Sequence, residues 1–271
     1  MIKVKNLTKT YRVQKRDAGL FAAVKALGKR ETEEITALDH ISFTVHPGEI
    51  VGYIGPNGAG KSSTVKILSG ILTPDSGECL VDGKIPWKQR KKYVSEIGVV
   101  FGQRTQLWWD VPVIDSFSLL KDIYRIRDDE YKKNLSLLTD RLDLGSLLRS
   151  PTRQLSLGQR IKCEIAASLL HDPKILFLDE PTIGLDAMSK IAIRNFITEI
   201  NREKGTTVIL TTHDMQDIEA LAGRILLIGQ GKILMDGTFE DVKSAKSDYQ
   251  SLDELACALY EKYGISGGAG Q

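Results

Sequence analysis

Apolar positions come in short blocks separated by turn residues, and their spacing alternates between two and nearly four along the chain. Residues 2–7 predict a first strand, followed by Thr8-Lys9-Thr10-Tyr11. Ile41-Ser42-Phe43-Thr44-Val45 alternates apolar and polar, the period of a strand with one buried face. His46-Pro47-Gly48-Glu49 is a turn, and Ile50-Val51-Gly52-Tyr53-Ile54 is a compact apolar run that predicts a buried strand. A glycine-rich loop follows, then a helix through Val65, Ile67 and Leu68 that stops at Gly70. Short strands are expected at residues 78–81 and 97–101. From about 105 to 165 the period is helical, with Ile114, Phe117, Leu120 and Tyr124 on one face and Leu135, Leu138 and Leu142 on another. Strands return at residues 175–178, 207–210 and 224–228 with helices between them. That alternation predicts an α/β fold with a mostly parallel sheet flanked by helices, and a helical lobe at 105–165 inserted into it.

Two stretches stand apart from this pattern. Residues 13–35 read as an insertion, in which Leu20, Val24 and Leu27 share one helical face and Lys25 and Lys29 another. Such a short basic amphipathic helix suits an anionic lipid surface or a partner, or else packs on its own domain; both readings stay open. Residues 241–271 predict a C-terminal helix and a flexible tail ending in Ser266-Gly267-Gly268-Ala269-Gly270-Gln271. The expected division is therefore a main domain at 1–240 and a C-terminal segment at 241–271.

Composition changes this picture little. The 271 residues are 42% hydrophobic and 27% charged, an ordinary globular balance. With 37 basic and 35 acidic residues the net charge is +2, which gives no electrostatic reason to expect nucleic acid. Cys79, Cys163 and Cys257 are far apart and form no CxxC pair, so reduced thiols are expected and no zinc site. The N-terminus is unlike a signal peptide, and no apolar run approaches the ~20 residues of a membrane-spanning helix. Any membrane role is expected to be exercised from the water phase.

The strongest chemical signal is Gly55-Pro56-Asn57-Gly58-Ala59-Gly60-Lys61-Ser62, which fits GxxxxGK[ST] at each fixed position. It follows a predicted strand and opens a predicted helix, the context that gives the motif its meaning. Its glycines let backbone N–H groups curl around phosphate oxygens, and the helix N-terminus adds a positive dipole. Lys61 is expected on the β- and γ-phosphates of a nucleoside triphosphate, the Ser62 hydroxyl on Mg²⁺, and Ser63 on a phosphate. A second signal is Ile175-Leu176-Phe177-Leu178-Asp179-Glu180, a buried strand that delivers two carboxylates to its carboxyl end. Asp179 suits Mg²⁺, and Glu180 suits a general base for the attacking water.

With these residues the chain resembles the ATP-binding subunit of an ABC transporter over roughly residues 1–240. Leu155-Ser156-Leu157-Gly158-Gln159-Arg160 is similar to that family's LSGGQ signature, and Ile183-Gly184-Leu185-Asp186 to its D-loop. Gln103 is placed like the Q-loop glutamine, Tyr11 like the aromatic that stacks on adenine, and His213 like the switch histidine. The resemblance implies a P-loop NTPase core with an antiparallel β subdomain and an inserted α-helical subdomain. It implies ATP and Mg²⁺ as ligands, with Gln103 and His213 joining Glu180 in catalysis and Gln103 joining Ser62 and Asp179 at the metal. It also implies a second copy of the domain, identical or closely homologous, whose Ser156, Leu157, Gly158 and Gln159 close the nucleotide site in trans, with Asp186 at the interface. One departure stands out: Leu157 occupies a position that is glycine in the family pattern. A leucine there is expected to resist φ > 0 and to add bulk beside the nucleotide, although the site is expected to work.

The resemblance further implies separately encoded transmembrane permease subunits, and a cytoplasmic chain peripheral to the membrane. Trp108 and Trp109, just after Gln103, suit a socket for a permease helix; the alternative is that one or both fill the lobe's core. The Q-loop sequence, the insertion and the simple C-terminus look most like type-two exporters. The alternative function is a soluble ABC ATPase that drives assembly of an iron–sulfur scaffold or another complex.

Overall fold

The computed structural model describes residues 1–14, 32–102, 104–244, 261, 262 and 264. Its centre is a six-stranded sheet in the order β5-β6-β7-β3-β8-β9. Here β3 is Ile50–Ile54, β5 Ile97–Phe101, β6 Ile175–Asp179, β7 Thr207–Thr212, β8 Arg224–Gly229 and β9 Lys232–Gly237. All neighbours are parallel except β8 and β9, which pair antiparallel. The four central strands β6, β7, β3 and β8 are buried on both faces, which is why they read as apolar runs. Side chains alternate along them: Leu176 and Leu178 enter one core, while Phe177 and Ile175 enter the other.

The first of these cores lies under helices that come between β5 and β6 and between β6 and β7 in the chain. It joins Phe117 of α3 (Val113–Tyr124), Leu138 of α4 (Asp128–Leu142), Ile161 and Ile165 of α5 (Leu157–Leu169) and Phe196 of α6 (Ala187–Lys204). The second core joins α1 (Lys61–Leu68) to a three-stranded antiparallel sheet. That sheet has the order β2-β1-β4, with β1 Ile2–Gln14, β2 Thr32–Val45 and β4 Ser76–Val81. Shorter helices are α2 (Arg90–Val94), α7 (Met215–Leu221) and α8 (Phe239–Ser244), with a 3-10 turn at Thr152–Gln154.

Three differences from the pattern have physical reasons. The first strand continues past Leu7 to Gln14, and residues 32–35, expected within an insertion, pair with it in register as Tyr11↔Ile35, Arg12↔Glu34, Val13↔Glu33 and Gln14↔Thr32. This ribbon has exposed Val13 and Ile35 and an exposed Arg12–Glu34 ion pair at 2.9 Å. It is held by backbone pairing rather than by a buried face, so no alternation marks it. The edge strand β9 and the short α2 were not signalled either, because β9 is nowhere fully buried and α2 buries only Tyr93. The proposed amphipathic helix at 19–30, Gln103, Cys257 and most of 241–271 lie outside the described residues.

Candidate functional site

The phosphate-binding signature sits where β3 ends in the middle of the sheet. Tyr53 of β3 is pinned to α1 through a buried contact between its hydroxyl and Thr64 Oγ1 at 3.1 Å. Between them residues 55–60 make a tight loop, with Ala59 N donating to Pro56 O at 3.1 Å. Gly60 has φ +110°, and a Cβ there would lie 2.4 Å from the Ala37 carbonyl oxygen, so only glycine fits. As the N-cap of α1 it offers no side-chain acceptor, which leaves first-turn N–H groups for a ligand.

Lys61 is only 5% exposed and curls back along the loop. Its Nζ donates to the carbonyl oxygens of Gly55 at 2.6 Å and Pro56 at 3.3 Å, and lies 3.5 Å from Glu180 Oε1. Burial pulls its pKa below the usual lysine value, and the Glu180 and Asp179 carboxylates oppose that pull. A buried ammonium held by carbonyls and one carboxylate is poised to receive a polyanion. Ser62 Oγ donates to Asp179 Oδ1 at 3.2 Å, and the same oxygen accepts from Thr211 Oγ1 at 2.6 Å. A hydroxyl from the first turn of α1 and a carboxylate from the end of β6, touching each other, fit a hard cation that keeps waters and takes phosphate oxygens for its other ligands. Among the described residues no cluster of three or more His, Cys, Asp or Glu could hold a metal alone.

Glu180 stands immediately beyond β6 with φ +53°, a strained left-handed conformation for a non-glycine residue. Its N–H is held by Thr211, donating to the carbonyl oxygen at 3.0 Å and to Oγ1 at 3.1 Å. Gly102 lies against it; a Cβ at Gly102 would come within 2.2 Å of the Glu180 carbonyl oxygen. The Glu180 carboxylate thus points Oε1 at Lys61 and Oε2 at His213, whose Nδ1 is 3.3 Å away. Tyr11 reaches the same place from the antiparallel sheet, its hydroxyl 3.2 Å from Ser63 Oγ. The structure therefore gathers Tyr11, Lys61, Ser62, Ser63, Asp179, Glu180 and His213 around one loop. Thr211 and Gly102 were missed; the signal was the pair Thr211-Thr212 ending an apolar strand, and the glycine beside Gln103.

A second group forms at the start of α5. Ser156 and Gln159 close a reciprocal cap: Gln159 N donates to Ser156 Oγ at 3.2 Å, and Ser156 N donates to Gln159 Oε1 at 2.9 Å. Gly158 packs so closely on α6 that a Cβ would lie 2.6 Å from Ser189 Oγ. Asp186 caps α6, accepting from Ser189 N at 2.9 Å and Ser189 Oγ at 2.6 Å, and these bonds hold its carboxyl below the usual range. The expectation for Leu157 needs correcting. It is the first helical residue of α5 and has no positive φ, so it carries no backbone penalty. Its side chain is half-buried against the lobe core, and its Cδ2 lies 3.1 Å from where a Cβ on Gly184 would be. The bulk is spent on the 183–186 segment.

Trp108 and Trp109 are 52% and 49% exposed, so neither fills the core; the buried residue of that stretch is Leu107. The Arg160 guanidinium lies 5.9 Å from the Trp109 ring centroid. Nearby, a cleft of about 370 Å³ opens between the sheet and the helical lobe, lined by Arg104, Thr105, Gln106, Tyr124 and Glu164 among others. His171 stacks on Tyr124 at 4.0 Å with Nε2 on the Ile97 carbonyl oxygen at 2.9 Å, a structural role. Cys79 and Cys163 are buried free thiols.

A phosphate loop between a central parallel strand and a helix, facing paired carboxylates at the carboxyl end of β6, defines a nucleotide-binding protein of the P-loop class. Comparison with known proteins narrows this. The family model described as ABC transporter matches residues 38–183, more than half of the chain. The chain is 36% identical over 222 residues to the probable multidrug ABC transporter ATP-binding protein YbhF of Escherichia coli, covering 81% of this chain and 38% of that protein. It is 34% identical over 220 residues to the linearmycin resistance ATP-binding protein LnrL of Bacillus subtilis, covering 81% of this chain and 68% of that one. The structure of the dimeric ATP-binding cassette MJ0796, in a post-hydrolysis state with ADP and Pi, superposes with a TM-score of 0.73 at 28% identity, covering 88% of this chain and 98% of that one. The chain belongs to the ABC transporter family, as its ATP-binding domain. It spans less than two-fifths of YbhF's length.

Proposed function

We propose that this chain hydrolyses ATP with Mg²⁺ and powers a membrane transporter. The observation that carries the reading is the placement of Glu180, with one carboxylate oxygen 3.5 Å from Lys61 Nζ and the other 3.3 Å from His213 Nδ1. The loop at 55–62 takes the triphosphate on its backbone N–H groups, and Lys61 exchanges its carbonyl partners for the β- and γ-phosphate oxygens. Ser62 and Asp179, with Gln103, would hold Mg²⁺, which when bound would neutralise phosphate charge. Glu180 accepts a proton from the attacking water, and His213 orients it and the γ-phosphate. Tyr11 offers its ring to adenine.

The helix start at Ser156, Leu157, Gly158 and Gln159, where Ser156 and Gln159 are exposed, completes the site of a second copy, with Asp186 between them. The reported dimer of MJ0796 supports this arrangement. Exposed Trp108 and Trp109 beside the cleft support a docked helix from a separate membrane subunit. On this reading the chain sits on the cytoplasmic face beneath that subunit; no helix among the described residues is long and apolar enough to cross a membrane. The names of YbhF and LnrL, multidrug and linearmycin resistance, support export. A soluble assembly ATPase is not favoured, because these relatives are named for transport and resistance.

Phosphate release by the purified chain tests the reading. Glu180→Gln should lower turnover by about 10²–10⁴-fold, the ordinary worth of a general base, while ATP still binds. Unchanged turnover in that variant would remove Glu180 from the reaction.

A further inference from the structure

We propose that Asp217 is a positioning residue for hydrolysis, which fixes the two backbone segments that carry Glu180 and His213 relative to each other. Asp217 lies in the first turn of α7 and is 0% exposed. One carboxylate oxygen, Oδ2, accepts from Thr182 Oγ1, two residues beyond Glu180. The same oxygen accepts from Thr212 Oγ1 at 3.3 Å, the residue immediately before His213. The other oxygen, Oδ1, accepts from Arg194 Nε at 2.6 Å, from the middle of α6.

One buried group therefore touches both segments and the helix behind them. Its neighbours repeat the pattern. Thr212 Oγ1 also accepts from Asp214 N at 3.0 Å, and Lys190 Nζ of α6 donates to Asp214 Oδ2 at 2.6 Å. Arg194 stands 3.9 Å from Asp214 as well. The 212–217 turn is thus clamped from α6 at two points, and among the described residues Asp217 alone extends the clamp to Thr182. A buried ion pair adds little stability over an apolar replacement of the same shape, so what this carboxylate supplies is geometry. The geometry in question is the 3.3 Å approach of His213 Nδ1 to Glu180 Oε2, neither of which Asp217 touches.

The inference rests on the roles given above to Glu180 and His213, and its test separates the two. Asp217→Asn, Thr182→Val and Glu180→Gln are made in the full chain. Turnover at saturating Mg-ATP, KM for ATP and the melting temperature are measured for each. Displacing a catalytic group by about 1 Å costs on the order of 10²-fold, so Asp217→Asn and Thr182→Val should lower kcat at least ~10-fold, with KM within about threefold of wild type. Thr182→Val is nearly isosteric and decides the matter if Asp217→Asn fails to fold. A kcat within twofold of wild type, beside an inactive Glu180→Gln, overturns the role of Asp217 alone. So does a KM that rises in step with the fall in kcat. An active Glu180→Gln overturns the underlying assignment instead.

Discussion

Replacing Leu157 by glycine restores the family's signature pattern and should nonetheless weaken this protein. The leucine side chain is half-buried against the helical core and rests on Gly184, so truncation loses part of the ~1.5–3 kcal/mol that full burial of a leucine contributes, about 1 kcal/mol. Leu157 is the first residue of α5 with helical backbone, and glycine there costs a further ~0.5–1 kcal/mol in chain entropy. The sum is ~1.5–2 kcal/mol, which for a domain of this size lowers Tm by roughly 3–8 °C. No strain is relieved in return, because the leucine has no positive φ to escape. Differential scanning fluorimetry of the two proteins gives the shift, and phosphate release at saturating ATP gives the turnover. The expected outcome is a lower Tm and a turnover no greater than wild type. An unchanged Tm with turnover raised tenfold or more would show that the leucine obstructs the nucleotide and that its packing on Gly184 is incidental.

Three further outcomes follow from the same geometry. Burial raises the pKa of the Glu164 carboxyl, against hydrogen bonds from Thr105 and Gln106, so the stability this group contributes is full below its unfolded pKa and is lost as pH rises through the folded one. Glu164→Gln should therefore gain Tm relative to wild type as pH rises above the usual glutamate value of 4.5 towards the raised folded one, and a difference that shrinks with pH contradicts the assignment. Thr211→Val removes a 2.6 Å bond to Asp179 and one of two acceptors for Glu180 N; kcat should fall on the order of 10-fold, the cost of a loosened catalytic group, and an unaltered kcat says the strand alone holds both acids. Trp108→Ala with Trp109→Ala should leave phosphate release by the isolated chain within about twofold, since exposed residues outside the site contribute little to it, while co-purification of a membrane partner from native membranes is lost; retained co-purification places the docking surface elsewhere.

The sequence by itself determined the parts whose physics is local. Glycines and a lysine between a buried apolar run and a helix can make a phosphate loop without knowledge of what lies across from them. Central strands buried on both faces declare themselves as apolar runs, and Asp179 and Glu180 are placed by the end of one of them. What lacked a local signal was missed for that reason. The ribbon at 8–14 and 32–35 is held by cross-strand bonds with both faces wet, so no periodicity marks it. Thr211 and Asp217 matter through partners about thirty residues away, Asp179 and Thr182, which only strand order and helix packing bring within bonding distance. Leu157 shows the division most clearly. Its identity as a departure was legible from the motif, but its consequence was decided by the backbone angle at the helix start and by the segment packed against it. The angle follows from the Ser156–Gln159 cap beside it, whereas the packing arises only when α5 and the 183–186 segment are folded against each other.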